Sequence, residues 1–347
     1  MSKWFERVGL TGGDNYISSR IRLVRNWTEY AFPESLDTLR ASELVGRMTY
    51  QLNDVGSFLR TPMQYRSLDQ LSEQEKNALR ERRILNKQTA AKKSPSALYL
   101  SEEEDVSILL NGEDHIKMQI LAPGLDLDAA WERADHLDDF INSRFDYAFD
   151  EKYGYLTAYP SNVGTGMRAN VVLHLPVLSE QKHFNALIEG MSRLGVTIRG
   201  VYGKGRENYG ALYDISNTAT LGRSESELIS SVKRVASQLN AQELQARTAR
   251  RSERLSREDE AFKSYGVLRY ARKLAVKDAM IYLSQLMTGL ADGMMDIEGR
   301  CSIYSLMLGI QPYNLMQMAD RPMGDEELEV LRAEYIRNRL PEIKEVH

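Results

Sequence analysis

Cysteine occurs once in the 347 residues, at Cys301. No intrachain disulfide can form, and the cysteine spacing of a structural zinc site is excluded. A lone thiol of this kind reads first as a small core residue. Long apolar runs are missing too; none approaches the ~20 residues that a membrane-spanning helix needs. The opening residues, MSKWFERVG, lack the apolar core of a signal peptide, which points to a cytoplasmic protein. There is no surplus of positive charge: 49 acidic residues face 45 basic ones, for a formal net charge of −4. That balance speaks against a general nucleic-acid binder. Also missing are a GxxxxGK phosphate loop followed by Ser or Thr, a GxGxxG after a strand, an HExxH helix and an EF-hand loop.

Proline is absent between Pro176 and Pro312, and glycine is scarce from Ser224 to Gly289. Helix interiors tolerate neither well, so this region reads as helical. Ser224 and Glu227 have capping-box spacing ahead of Leu228, Ile229, Val232, Val235 and Leu239. Ser256 and Asp259 repeat the signal before Phe262, and a second helical run follows through Leu268, Leu274, Met280, Leu283 and Met287. The mixed charges of 247–260 read as a solvated helix face. The expected division is therefore 1–223, a mixed α+β domain, and 224–347, an α-helical domain.

In the first part, β-rich runs at 16–24, 106–110, 115–121, 169–175 and 196–199 alternate with helical patterns at 36–59 and 179–194. The expected architecture is a mainly antiparallel sheet flanked by helices. Successive strand residues point to opposite faces. Arg20 and Arg22 then share a face with Ser18, opposite Ile17, Ile21 and Leu23. Glu113, His115, Lys117 and Gln119 oppose Ile116, Met118 and Ile120. Arg168, Asn170 and His174 oppose Ala169, Val171 and Leu173, and Arg199 opposes Ile198. If the polar faces converge, Arg20, Arg22, Lys117, Arg168 and Arg199 form a cationic basin suited to a polyphosphate, because guanidinium forks bind phosphate oxygens two at a time. The alternative is an ordinary solvated sheet face. Two glycine-bearing loops, NVGTG at 162–166 and GVYGKG at 200–205, flank Arg168 and Arg199. Both suggest close backbone approach to a ligand, or a lid hinge.

The stretches SSRIRLVRN (18–26), NGEDH (111–115), YPSNVGTGMRANVVLHLP (159–176), RGVYGKG (199–205) and YDISN (213–217) occur in an order that resembles the ATP:guanido phosphotransferases, or phosphagen kinases. IQPYNLM (310–316) and RAEYIRNRL (332–340) are similar to the helical C-terminal region of the bacterial protein-arginine kinase branch. The resemblance implies an antiparallel sheet with flanking helices, followed by a helical domain that supports a homodimer. It also implies transfer of the γ-phosphoryl of ATP, with Mg²⁺, to a guanidinium. In that branch the acceptor is an arginine side chain of another protein, marked in a stress response for a ClpC-type unfoldase and its protease, with a possible activator protein. Magnesium is then held by ATP oxygens and water, with no protein metal site. Ser18 stands almost at the start of the chain, without the helical domain that precedes this motif in small-substrate relatives, which favours a protein-borne acceptor.

Carried over, the resemblance assigns Glu113 as the catalytic carboxylate that holds and helps deprotonate the guanidinium. It assigns Ser18, Arg20, Arg22, Lys117, Arg168, Ala169, Asn170, Arg199, Gly200, Gly203 and Lys204 to ATP. Lys117 stands where the family usually has arginine. Other positions depart further. Gly112 replaces the first of two adjacent glutamates, Tyr159 a cysteine, Lys204 a lid glutamate, and Gln88 a histidine. A phosphoarginine-binding signature survives only as Leu328, Glu329, Arg332 and Ala333. Tyr159 and Glu207 are then acceptor-site residues, with Glu207 as a substitute lid carboxylate. An active protein-arginine kinase is the first expectation. A degenerate kinase that binds nucleotide and serves as a regulatory subunit is the alternative.

Overall fold

The computed structural model describes residues 2–9, 15–203 and 207–344. Its strands are β1 (Tyr16–Arg25), β2 (Met63–Ser67), β3 (Ala97–Ser101), β4 (Val106–Leu110), β5 (Ile116–Pro123), β6 (Phe149–Asp150), β7 (Gly154–Tyr155), β8 (Met167–His174), β9 (Val196–Gly200) and β10 (Leu212–Asn217). Eight of them form one sheet in the order β2-β3-β4-β5-β1-β8-β10-β9, and β6 pairs with β7. From β2 to β5 the pairing is an antiparallel meander, with Leu109 opposite Lys117 and Ser107 opposite Gln119. After β10 the described residues contain helices and loops but no strand, so the C-terminal region is helical.

The chain packs as two compact units, crossing between them after Trp4 and inside β1, β8, β10 and the helix Glu225–Ala249. One unit is Met1–Trp4, Ser19–Asn170 and Ser216–Lys233; the other is Phe5–Ser18, Val171–Ile215 and Arg234–His347. In the first unit, the helix Leu127–Asn142 buries Leu127, Ala130, Ala134, Leu137 and Ile141 and packs on β5. The helix Thr38–Gln51 buries Ala41, Leu44, Val45 and Met48. Asp37 caps it, accepting the Arg40 N–H at 2.8 Å. The helix expected over 36–59 is thus two, Thr38–Gln51 and Val55–Leu59. The break falls at Asn53–Asp54, residues whose side chains compete with helical backbone bonding.

A buried ion pair organises this unit. Arg25, 1% exposed, meets Asp138 at 2.6 Å and stacks 3.5 Å from the Tyr155 ring centre. It also donates to the Thr165 carbonyl at 3.0 Å, while Tyr147 donates to Asp138 at 2.9 Å. Gly166 lies against it with φ +62°; a Cβ there would stand 2.6 Å from Arg25 Nη1. The glycine that the sequence suggested for ligand approach therefore admits an arginine of the chain itself.

Ser224, just ahead of the long helix, and Glu227 in its first turn form the expected box, both within the first unit: Ser224 N–H donates to Glu227 at 2.8 Å, and Glu227 N–H to Ser224 Oγ at 3.3 Å. Ser256 starts no helix, because the helix Arg254–Tyr270 is already under way with Glu253 at its cap. The second run is likewise split, with a further helix at Val276–Ala291. Most of 247–260 is exposed, as a solvated face requires, but Arg247 is buried. Its Nε donates at 2.8 Å to Glu243, a fully buried acid that also accepts the Val177 and Leu178 N–H groups. A helical pattern cannot announce such a burial, because the partner backbone lies far off in sequence. Cys301 is half-buried, and burial raises its thiol pKa.

Removing one partner of a buried charge pair strands the other. Asp138→Ala is expected to cost about 3–5 kcal/mol, read as a lower denaturant midpoint. An unchanged midpoint contradicts the organising role of the Arg25 pair.

Candidate active site

Strand β1 separates its faces as alternation demands. Ile21 and Leu23 are fully buried, while Arg20 and Arg22 are half-buried on the other side. The neighbouring strand β5 carries Lys117, 8% exposed. Its ammonium pKa is pulled down to about 8, first by burial and then by the positive charge of Arg22, with Arg20 adding to it; Glu113 and Asp114 oppose the fall. Coulomb effects fade with distance, so these groups surround one another. Arg20, Arg22, Lys117 and Glu113 are thereby brought together. Arg168 lies on β8, on the other side of β1, as the half-exposed residue of a buried strand.

Asn217, which the sequence reading did not single out, brackets Arg168. It accepts the Ala169 N–H at 2.8 Å and donates to the Met167 carbonyl at 3.1 Å. Its only sequence signal was the motif YDISN. Ser18, Ala169 and Asn170 are buried. Arg199 and Gly200 are exposed at the end of β9 and, with Ser18 and Gly203, belong to the other unit. Lys204 lies outside the described residues.

Glu113 is delivered by the turn between β4 and β5 and not by a strand face. Asn111 takes φ +53°, a conformation that asparagine tolerates well, and its N–H donates to the His115 carbonyl at 2.7 Å. His115 and Asp114 tie down this turn. Asp114 is buried, which raises its pKa, and it accepts Asn26 Nδ2 and the Ala158 N–H, both at 2.7 Å. Asn26 in turn accepts the His115 N–H at 2.9 Å. His115 is fully buried; Nδ1 accepts the Trp27 N–H at 3.0 Å and Nε2 faces the Ala31 carbonyl at 2.8 Å. Burial lowers its pKa to about 4, so the ring is neutral. His174 is also buried, at 2.8 Å from Ser284 Oγ, with a pKa lowered to about 3. Neither histidine joins the polar face expected from alternation: His115 lies buried in the turn just before β5, and His174 is buried at the end of β8.

Glu113 lines a cavity of about 250 Å³ together with Gln88, Lys92, Gly112 and Tyr159. Its Oε1 accepts a hydrogen bond from Asn86, whose own Oδ1 caps the helix Lys87–Ala91 by accepting the Thr89 N–H at 2.8 Å. The acid is therefore held in one orientation. Tyr159 donates its hydroxyl to Gln88 at 3.2 Å, so two of the departures from the family pattern pair with each other. Gly112 has a steric cause: a Cβ there would fall 2.6 Å from Leu109 Cδ2. Lys92 donates to the carbonyls of Asn111 and Gly112 at 2.7 and 2.6 Å. Burial lowers its pKa, while Glu113 and then Glu34 work the other way.

The remaining sequence candidates are occupied elsewhere. Glu207 accepts a hydrogen bond from Tyr209 and lies 3.6 Å from Lys277, contacts that lower its pKa. In 328–333, Leu328 is buried, and the buried Arg332 donates to the Ile310 and Leu274 carbonyls at 3.0 and 2.8 Å.

A cluster of cations that depresses its own lysine fits a polyphosphate, which relieves that repulsion. Lys117 loses its proton as pH rises through about 8, so nucleotide affinity is expected to fall between pH 7 and 9. Lys117→Arg should flatten that fall in a calorimetric titration; a wild-type affinity independent of pH contradicts the placement. Stability has the opposite sign. Between about 8 and the ordinary lysine value near 10.4, the unfolded chain holds a proton that the native state lacks, so native stability rises with pH.

Two family models match the chain. Residues 47–246 match the ATP:guanido phosphotransferase C-terminal catalytic domain, and residues 254–347 match the protein-arginine kinase McsB C-terminal domain. A protein-arginine kinase of a Geobacillus species is 39% identical, covering 98% of this chain and 94% of its own. That of Halothermothrix orenii is 36% identical over 94% of this chain and 93% of its own. Among known structures, lombricine kinase superposes with a TM-score of 0.57 at 26% identity, over 69% of this chain and 70% of that one. The duplicated taurocyamine kinase of Schistosoma mansoni, bound to transition-state analogue components, shares the fold with a TM-score of 0.58 at 24% identity. That match covers 68% of this chain and 34% of the larger one. The cations of β1 and β5, the hairpin acid beside them and these likenesses lead to one assignment: the chain belongs to the ATP:guanido phosphotransferase family.

Proposed function

We propose that the protein transfers the γ-phosphoryl group of ATP to arginine side chains of other proteins. The observation that carries this reading is the juxtaposition of Glu113 with Lys117, Arg20 and Arg22. Phosphoryl transfer asks the protein to align its reactants and to stabilise spread negative charge. Arg20, Arg22 and Lys117 hold the phosphates, with Arg168 on the strand next to β1 completing the hold. Magnesium, held by oxygens of the bound nucleotide and by water, would supply further neutralisation of the phosphate charge. Glu113, fixed by Asn86, grips the planar guanidinium through paired hydrogen bonds and takes the proton that the attacking nitrogen releases. The new N–P bond forms as the bond from the γ-phosphorus to the bridging oxygen breaks, and ADP leaves.

Within this reading, 1–223 is the catalytic portion and 224–347 a helical portion that supports a homodimer and client binding. Phosphoarginine marks cytoplasmic clients in a stress response for a ClpC-type unfoldase and protease, under an activator protein. Tyr159 belongs to the acceptor side. A second reading, a regulatory subunit that binds nucleotide without transfer, draws on the Lys92 ammonium at the acceptor pocket, which repels a substrate cation.

Incubation with labelled ATP and an arginine-rich client decides between the two. The expected product is acid-labile phosphoarginine, formed about 10²–10⁴-fold more slowly by Glu113→Gln. ATP binding without phosphoarginine favours the regulatory subunit.

A further inference from the structure

A guanidinium presents five N–H donors along its planar edges, more than one carboxylate can accept. Glu113 supplies one acid. Position 112 cannot supply another without displacing Leu109, and Glu207 is engaged by Tyr209 and Lys277. We propose that Glu34 is the second acid of the acceptor pocket and sets its preference for a guanidinium head. The inference rests on reading that pocket as the arginine site.

Glu34 and Glu113 line the same cavity. Glu34 stands in the short turn Pro33–Ser35, where Pro33 is buried and anchors the backbone while Glu34 itself is exposed. Among the described residues no hydrogen bond or ion pair engages the Glu34 carboxylate. Lys92 lines the cavity too, and its ammonium responds to both acids, Glu113 more than Glu34. Its bonds to the Asn111 and Gly112 carbonyls keep it at one wall.

The charges decide what the cavity accepts. Among the lining residues, two carboxylates against one ammonium leave a single negative charge, the complement of one monocation. An arginine head satisfies it, whereas neutral citrulline of nearly the same shape does not. The volume of about 250 Å³ lies just under the ~300–1,000 Å³ of sites that enclose whole small ligands, and suits the end of a side chain. Among the residues that line the cavity, Glu113 alone would only balance Lys92, and a second acid adds the net negative charge that attracts a cation.

The test uses the full chain and a short peptide with one arginine, alongside its citrulline counterpart. Glu34→Gln is expected to raise KM for the arginine peptide roughly tenfold, the loss of one charge-assisted contact, while KM for ATP holds. Calorimetry without turnover supplies the second arm: the wild type binds the arginine peptide more tightly than the citrulline one, and Glu34→Gln narrows the gap. An unchanged peptide KM in Glu34→Gln, or a wild type that does not distinguish the two peptides, overturns the role of Glu34. A wild type that prefers arginine yet makes no phosphoarginine keeps this inference and rejects the transfer reading.

Discussion

The chemistry of this protein depends on a buried polar knot at the base of one hairpin. Asp114 is a carboxylate taken almost wholly out of water, a costly placement that two N–H donors offset. Asn26 uses both ends of its amide, donating to Asp114 and accepting from the His115 backbone. His115 locks onto the chain after β1 through both ring nitrogens. With these groups consumed, the turn has one acid left to present. Glu113 points into the cavity because its neighbours cannot.

The second constraint is electrostatic. Three cations sit together on adjacent strands, and the pKa of the buried one is lowered, by burial first and then by the charges of Arg22 and Arg20. Arginine keeps its charge under such pressure and lysine does not. The cluster is thus least comfortable when empty, and a polyanion is the species that relieves it. Glu113 opposes the same repulsion from the side. The acid therefore has a role in the free protein, and it links the cation cluster electrostatically to the cavity that it lines.

Three of the departures from the family pattern have local physical contacts behind them. Gly112 accommodates Leu109, and Tyr159 and Gln88 bond to each other. Asn86 serves two masters, capping a helix and orienting Glu113.

Much was legible in the chain itself. Two-residue alternation set Arg20 and Arg22 against Ile21 and Leu23, because a strand has only two faces. Ser224 and Glu227 announced the long helix, because a capping box involves residues three apart. The order of short motifs identified the family. What the tertiary structure alone decided involves partners distant in sequence. Glu113 lies in a turn because Asn111 turns left-handed and bonds His115. Gly166 makes room for Arg25, and Arg247 is buried on Glu243. Glu34, Lys92 and Glu113 meet around one cavity. Local sequence encodes local geometry, whereas the meeting of remote side chains is settled by how the elements pack.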